Sequence, residues 1–263
     1  MNTLLIGAHL KRLKLPAIAK NYEKLARDAA ESHQTYDGYL LALLDYEINQ
    51  RDQNLQAARI RQAKFPFIKT LEQFDFSEVP ALNPARILSL AQSEWVDQGH
   101  NLIMVGNPGL GKTHLAIGLG IAACRRGKRV RFVTTSGLVN DLSEARVNNQ
   151  LSRLQAYYNR IDLLILDELG FVPFPKDGAE MLFNLCAGRY ERKSTLVTTN
   201  LEFSRWTEVM GDQTLAGAMV DRLTHHAQII KLTGESYRFR ESLRRTTRGA
   251  ATSEVPEELP SAL

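Results

Sequence analysis

Between residues 4 and 64 the apolar positions recur at helical spacing. Leu10, Leu13, Ile18, Tyr22, Leu25 and Ala29 fall three to five residues apart, and Pro16 can open the second helix. A later stretch carries Tyr36, Tyr39, Leu40, Leu43, Leu44, Glu47 and Ile48, then turns polar from Asn49 to Lys64. Pro66 ends it, because proline disfavours helix at the residue before it. The pattern predicts a small N-terminal helical domain, 1–66, of a kind that docks a partner. Residues 67–84, with Pro80 and Pro84 and few helix signals, predict a linker.

From residue 85 the period changes. Apolar, β-branched runs fall at Leu102–Val105, Val130–Thr134, Leu163–Leu166, Thr195–Thr198 and Gln228–Leu232. Helical patterns lie between them, at 112–126, 137–158 and 178–191, and a helical stretch with turns covers 204–225. Strands alternating with helices of this length predict an α/β fold over 85–250, with a mainly parallel five-stranded sheet between helices. The tail, 251–263, sets Pro256 and Pro260 among acidic residues and predicts disorder.

With 263 residues, 44% of them apolar, the chain can bury a full core. It has no run of 18 or more apolar residues to span a membrane. The stretch Met1 to Arg12 lacks the layout of a secretory signal. Cys124 and Cys186 both sit in apolar helical patterns and read as core residues. Together these features predict a cytoplasmic protein. The net charge of +4 is unevenly spread. Residues 81–250 hold 22 basic against 16 acidic side chains, whereas 1–80 hold 11 against 10. A basic excess on the α/β segment can hold nucleic acid phosphates or be a solvated surface.

The chemistry starts where the first strand ends. Gly106-Asn107-Pro108-Gly109-Leu110-Gly111-Lys112-Thr113, followed by His114, fits GxxxxGK[ST], with a strand before it and a helix after it. Glycines let successive backbone N–H groups face a phosphate, and the helix N-terminus adds partial positive charge. Lys112 supplies a full charge to the β- and γ-phosphates of ATP, and the Thr113 hydroxyl is placed to coordinate Mg²⁺. The run Ile161 to Leu166 ends in Asp167-Glu168. Ligands of parallel sheets sit beyond the strand carboxyl ends, so Asp167 can hold Mg²⁺ through water and Glu168 can activate the attacking water. An acidic pair on a plain loop is the alternative. Asn200, closing Thr198-Thr199-Asn200, can hydrogen-bond water and γ-phosphate, or can cap a helix. Arg222 can stabilise phosphoryl transfer, or can pair with Asp221 at the surface.

Those four elements, in this order, resemble the AAA+ ATPases through Walker A, Walker B with its glutamate, sensor 1 and an arginine finger. A closer resemblance covers almost the whole chain. The helical front, Thr70-Leu71-Glu72-Gln73-Phe74-Asp75-Phe76, the Gly106–Thr113 loop, Asp167-Glu168-Leu169-Gly170, Thr198-Thr199-Asn200, Asp221-Arg222-Leu223 and Gly234-Glu235-Ser236-Tyr237-Arg238 are similar to the IstB-like insertion-sequence ATP-binding proteins, which are related to the helicase loader DnaC. The resemblance implies an ATP-dependent homo-oligomer on double-stranded DNA that deforms the DNA and presents it to a cognate transposase. It also implies that Arg222 reaches a neighbour's site and that Arg238 acts as sensor 2. The chain departs from a full AAA+ module in having room for only a reduced C-terminal lid, so Arg238 either meets nucleotide or joins a basic cluster with Arg240, Arg244, Arg245 and Arg248.

That cluster and a second one, Arg125, Arg126, Lys128, Arg129 and Arg131, are the candidates for DNA backbone contact. No sequence-reading motif such as helix-turn-helix is evident, which points to binding governed by charge and DNA shape. His225 and His226 are adjacent rather than four apart and read as helix-end residues, not metal ligands. A DnaC-like replicative helicase loader is the competing function, because the core motifs are common to both. A small-molecule kinase also uses a P-loop, but Glu168 after Asp167 suits activation of water rather than of an acceptor substrate.

Overall fold

The computed structural model describes residues 2–234 and 236. Two compact units form, Met1–Arg59 and a second beginning at Ile60.

The first unit holds α1 (Asn2–Arg12), α2 (Pro16–Glu31) and most of α3 (Tyr36–Ala63). Its buried apolar set is thin: Ala17, Ile18, Ala29 and Leu43. Leu40, Leu44 and Ile48, expected on the buried side of α3, are exposed, as is Leu41. A polar contact makes up for the thin core. Glu47, 3% exposed, accepts the backbone N–H groups of Ala17 (2.9 Å) and Ile18 (3.1 Å). It thereby caps the start of α2 from another helix, where such donors have no intrahelical partner. Arg51 locks the cap, donating from Nε to Glu47 Oε1 at 2.9 Å and from its guanidinium to the Lys14 carbonyl at 2.5 Å.

The second unit is built on five strands: β1 (Asn101–Gly106), β2 (Val130–Thr134), β3 (Leu163–Leu169), β4 (Ser194–Thr199) and β5 (Ala227–Leu232). All pair in parallel in the order β2-β3-β4-β1-β5. The central strands are covered on both faces; β1 and β3 are therefore largely aliphatic, while β4 buries Ser194, Thr195, Thr198 and Thr199 beside Leu196 and Val197. On one face lies α6 (Lys112–Arg125), buried almost continuously from Leu115 to Cys124. On the other lie α7 (Thr135–Val147), α9 (Lys176–Arg189) and α11 (Gln213–Thr224).

Two features depart from the pattern read along the chain, whereas the helical stretch with turns expected after β4 is present. Leu71, Val79 and Leu82 of the expected linker are buried in the α6-side core, with α4 (Pro84–Leu90) and α5 (Glu94–Asp97) continuing that wall. Short 3-10 turns at Leu71–Gln73 and Phe76–Glu78 separate these residues, so no helical or strand period shows. The single helix expected over 137–158 breaks at Asn148–Gln150, where Asn149 takes φ +52°, and resumes as α8 (Leu151–Asn159). The stretch after β4 splits at Gly211 into α10 (Thr207–Met210) and α11. Its second start is capped by Asp212, which accepts the Leu215 N–H at 2.7 Å.

Arg189, at the end of α9, is 1% exposed. It donates to the carbonyls of Tyr158 (2.5 Å), Ile161 (3.1 Å) and Ser194 (2.6 Å), joining α8, α9 and β4 at one point. Burial pushes its guanidinium pKa down to about 10.

Candidate functional site

Sheet register gathers the expected residues at one edge. Gly106 stands beside Leu232, Val105 beside Thr199, and Thr134 beside Asp167, all at strand carboxyl ends. The strand neighbouring β1 on one side leads to helices on the opposite face from α6, and such a crossing is where parallel sheets open a ligand crevice.

Gly106–Thr113 forms the turn from β1 into α6. Gly111 takes φ +85°, and a Cβ there would lie 2.6 Å from the Phe74 ring. A Cβ on Gly106 would lie 2.3 Å from the Leu232 carbonyl oxygen. The loop is thus clamped between the Phe74 wall and the end of β5. Lys112 Nζ donates to the carbonyls of Gly106 (2.6 Å) and Asn107 (2.9 Å), across the mouth of the loop. His114 turns its ring away from the mouth. Its Nε2 lies 2.9 Å from the Thr70 carbonyl, and the ring meets Phe74 edge-on at 5.2 Å. Burial lowers its pKa, against the opposing Thr70 contact. Neutral His114 therefore joins the loop to its wall.

The acidic pair stands across from the loop. Thr113 Oγ1 lies 3.0 Å from both carboxylate oxygens of Asp167. Asp167 is 3% exposed, and burial raises its pKa in spite of hydrogen bonds from Thr198 and Thr113 and the charge of Lys112. Immediately after it the pairing of β3 with β4 shifts register between Leu166 and Leu169. Glu168 takes φ +58° in this bulge and its side chain is exposed, unlike its neighbours on β3. A bulge re-aims one side chain in this way. The Thr198 hydroxyl supports the bulge, accepting the Glu168 N–H at 3.0 Å and donating to Asp167 Oδ1 at 2.5 Å. The sequence phrase Thr198-Thr199-Asn200 assigns a role to Asn200 and none to Thr198, whose partners lie on another strand. The signal for Thr198 is a hydroxyl directly after the aliphatic pair Leu196-Val197.

Asn200 is half-buried just beyond β4, at the same edge. It does not cap the following turn, Phe203–Arg205, whose N-cap is Glu202. Arg222 is elsewhere. It stacks over the Phe183 ring at 4.4 Å and shares a cleft with His100 and Asn101, at the opposite end of β1 from Gly106. Arg238, Arg240, Arg244, Arg245 and Arg248, with the lid region and the tail, lie outside the described residues.

The first basic group is engaged within the chain. Arg129 forms a two-pronged pair with Asp162, at 3.1 Å on each prong. Lys128 pairs with Asp97, Arg126 with Gln92, and Arg125 approaches Glu72 at 3.9 Å. Burial works against ionisation of Asp162, yet Arg129 and Lys193 pull its carboxyl far below the usual carboxylate range. Arg131, read with this group, has a buried Nε and faces Tyr158 rather than solvent.

The donor set suits a magnesium nucleotide: glycines that leave room for phosphate, one ammonium at the loop mouth, and a hydroxyl facing a buried carboxylate. Comparison with known proteins supports the nucleotide part of this set. The family model described as IstB-like ATP binding protein matches residues 8–245. The chain belongs to this family. Among IstB-like relatives, the insertion sequence IS21 ATP-binding protein of Pseudomonas aeruginosa is 39% identical over 232 residues, 88% of each chain. That of insertion sequence IS5376 from Geobacillus stearothermophilus is 37% identical over 236 residues, 90% of this chain and 94% of the relative. Among solved structures, AMPPCP-bound DnaA from Aquifex aeolicus matches at TM-score 0.53 and 20% identity, over 72% of this chain and 57% of that one. The DnaC helicase loader matches at TM-score 0.50 and 21% identity, over 66% of this chain and 99% of that one. These two likenesses show that the IstB-like chain shares their P-loop α/β fold. No helix among the described residues is long and apolar enough to cross a membrane.

Proposed function

We propose that this IstB-like chain hydrolyses ATP with Mg²⁺ and acts as an oligomeric helper of an insertion-sequence transposase, binding and remodelling double-stranded target DNA and stimulating transposition. The observation that carries hydrolysis, beyond nucleotide binding, is the bulge at Asp167-Glu168. It keeps one carboxylate buried against Thr113 and turns the next outward. Thr113 and Asp167 would hold Mg²⁺, which when bound supplies charge neutralisation at the phosphates. Lys112 exchanges its two loop carbonyls for phosphate oxygens. Glu168 orients the attacking water and takes its proton, and Asn200 hydrogen-bonds that water.

Arg222 and the P-loop of its own chain lie at opposite ends of β1. A role for Arg222 in hydrolysis therefore needs a second copy, and this supports ATP-dependent assembly. The insertion-sequence names of the relatives support the transposition reading. The first unit, with its exposed Leu40, Leu41, Leu44 and Ile48, is the surface offered to the transposase. Sedimentation with duplex DNA and a non-hydrolysable ATP analogue tests the proposal. The expected result is a large complex that needs both ligands. A monomer indifferent to both would overturn it, and a preference for single strands would favour a helicase loader.

A further inference from the structure

We propose that Glu191, His225 and His226 form a binding site for a late first-row divalent metal ion such as Zn²⁺, separate from the Mg²⁺-nucleotide site. The three residues come from two turns, one between α9 and β4 and the other between α11 and β5. Glu191 Oε1 lies 3.5 Å from His225 Nδ1 and 3.6 Å from His226 Nε2. All three ligand atoms lie within 4.8 Å of one another. Zinc bonds nitrogen and carboxylate oxygen at about 2.0–2.2 Å in a tetrahedron, which sets neighbouring ligand atoms about 3.4 Å apart. The two separations from Glu191 match that edge, and they are longer than a good charge-assisted hydrogen bond. The sequence spacing argued against this site because the two histidines are adjacent. Adjacency is no obstacle once the third ligand arrives from another loop.

The ligands are held in place from outside the cluster. Glu191 adopts φ +57°, an unusual backbone for a residue with a side chain, and it packs against Gly99. His226 is tied to the sheet through its carbonyl, which accepts the Asn101 N–H at 2.9 Å, and its ring stacks on His100 at 5.5 Å. Tyr190 Oη lies 2.5 Å from His225 Nδ1 and orients that ring. On metal binding the His225 nitrogen passes from that hydroxyl to the ion. All three side chains are about half exposed, so an ion keeps solvent ligands and reaches the site directly. Two imidazoles and one carboxylate select zinc, nickel or cobalt over magnesium. The site borders a cleft of about 220 Å³ that is also lined by Arg222.

The test is a Zn²⁺ titration of the metal-stripped full chain, without nucleotide, in competition with a chromogenic chelator. Co²⁺ absorption provides a second readout. The expected result is one equivalent bound, with tetrahedral Co²⁺ bands. Glu191→Gln or His226→Ala should each weaken affinity by more than about 10-fold, since loss of a mere outer partner of a metal ligand already costs about 10–100-fold. The double variant His225→Ala/His226→Ala should abolish binding, while an unchanged melting profile shows that it folds. His33→Ala, outside the cluster, should leave affinity unchanged. Wild-type affinity no tighter than that of the double variant would overturn the site.

Discussion

The Thr198 hydroxyl joins Asp167 Oδ1 at 2.5 Å and, through the Glu168 N–H at 3.0 Å, fixes the bulge that separates the two carboxylates. One side chain on β4 thus sets the aim of two on β3. Valine has the same shape without the hydroxyl. Thr198→Val is expected to lower ATP turnover about 10–100-fold, as loss of a partner behind a metal ligand does, while nucleotide affinity changes little. Phosphate release and calorimetric binding would check both halves. Unchanged turnover would show that the bulge holds without the hydroxyl.

Glu168→Gln keeps the size of the side chain and removes the base. Turnover should fall about 10²–10⁴-fold. The ATP-bound, DNA-bound assembly should then persist, seen as a sedimenting complex that survives prolonged incubation with ATP. Normal phosphate release would remove Glu168 from the chemistry.

Arg222→Ala is expected to bind ATP normally and lose about 10³-fold or more in turnover. Mixing it with Lys112→Ala should restore part of the rate, because the second variant supplies an intact arginine to a site that still has its lysine. Absence of rescue would leave Arg222 with only its stacking on Phe183.

The first unit should be sensitive to acid. Desolvation opposes ionisation of Glu47, but the Ile18 and Ala17 N–H groups and Arg51 outweigh it, so its pKa is lowered from 4.5. A carboxylate depressed on folding contributes stability that is fully present above its unfolded pKa and lost as pH falls through the folded one. Glu47→Ala, which strands two donors, should cost about 1–3 kcal/mol at neutral pH. The gap between wild type and variant should close in acid. Urea melts followed by far-UV circular dichroism at several pH values would measure it, and a pH-independent gap would contradict the assignment.

The strands and the phosphate loop were legible because each has a local cause. Burial on both faces demands aliphatic runs such as Leu163–Leu166, and the P-loop spells its glycines and lysine in one phrase. What escaped notice depends on partners distant in the chain. Leu71 is core only because α6 arrives beside it, and Thr198 matters only because β3 and β4 are neighbours. Glu47 fitted the apolar pattern of α3 and showed its purpose only against the start of α2. Glu191 lies more than thirty residues from the histidines it meets.

The Gly106 peptide has two attachments: its carbonyl accepts Lys112, and it pairs with Leu232 so closely that a side chain has no room between them. The root of the chain after β5 is therefore bolted to the same peptide that feels the lysine let go. Departure of the lysine from the Gly106 carbonyl is therefore felt at the last residue of β5, which Gly106 faces across the sheet.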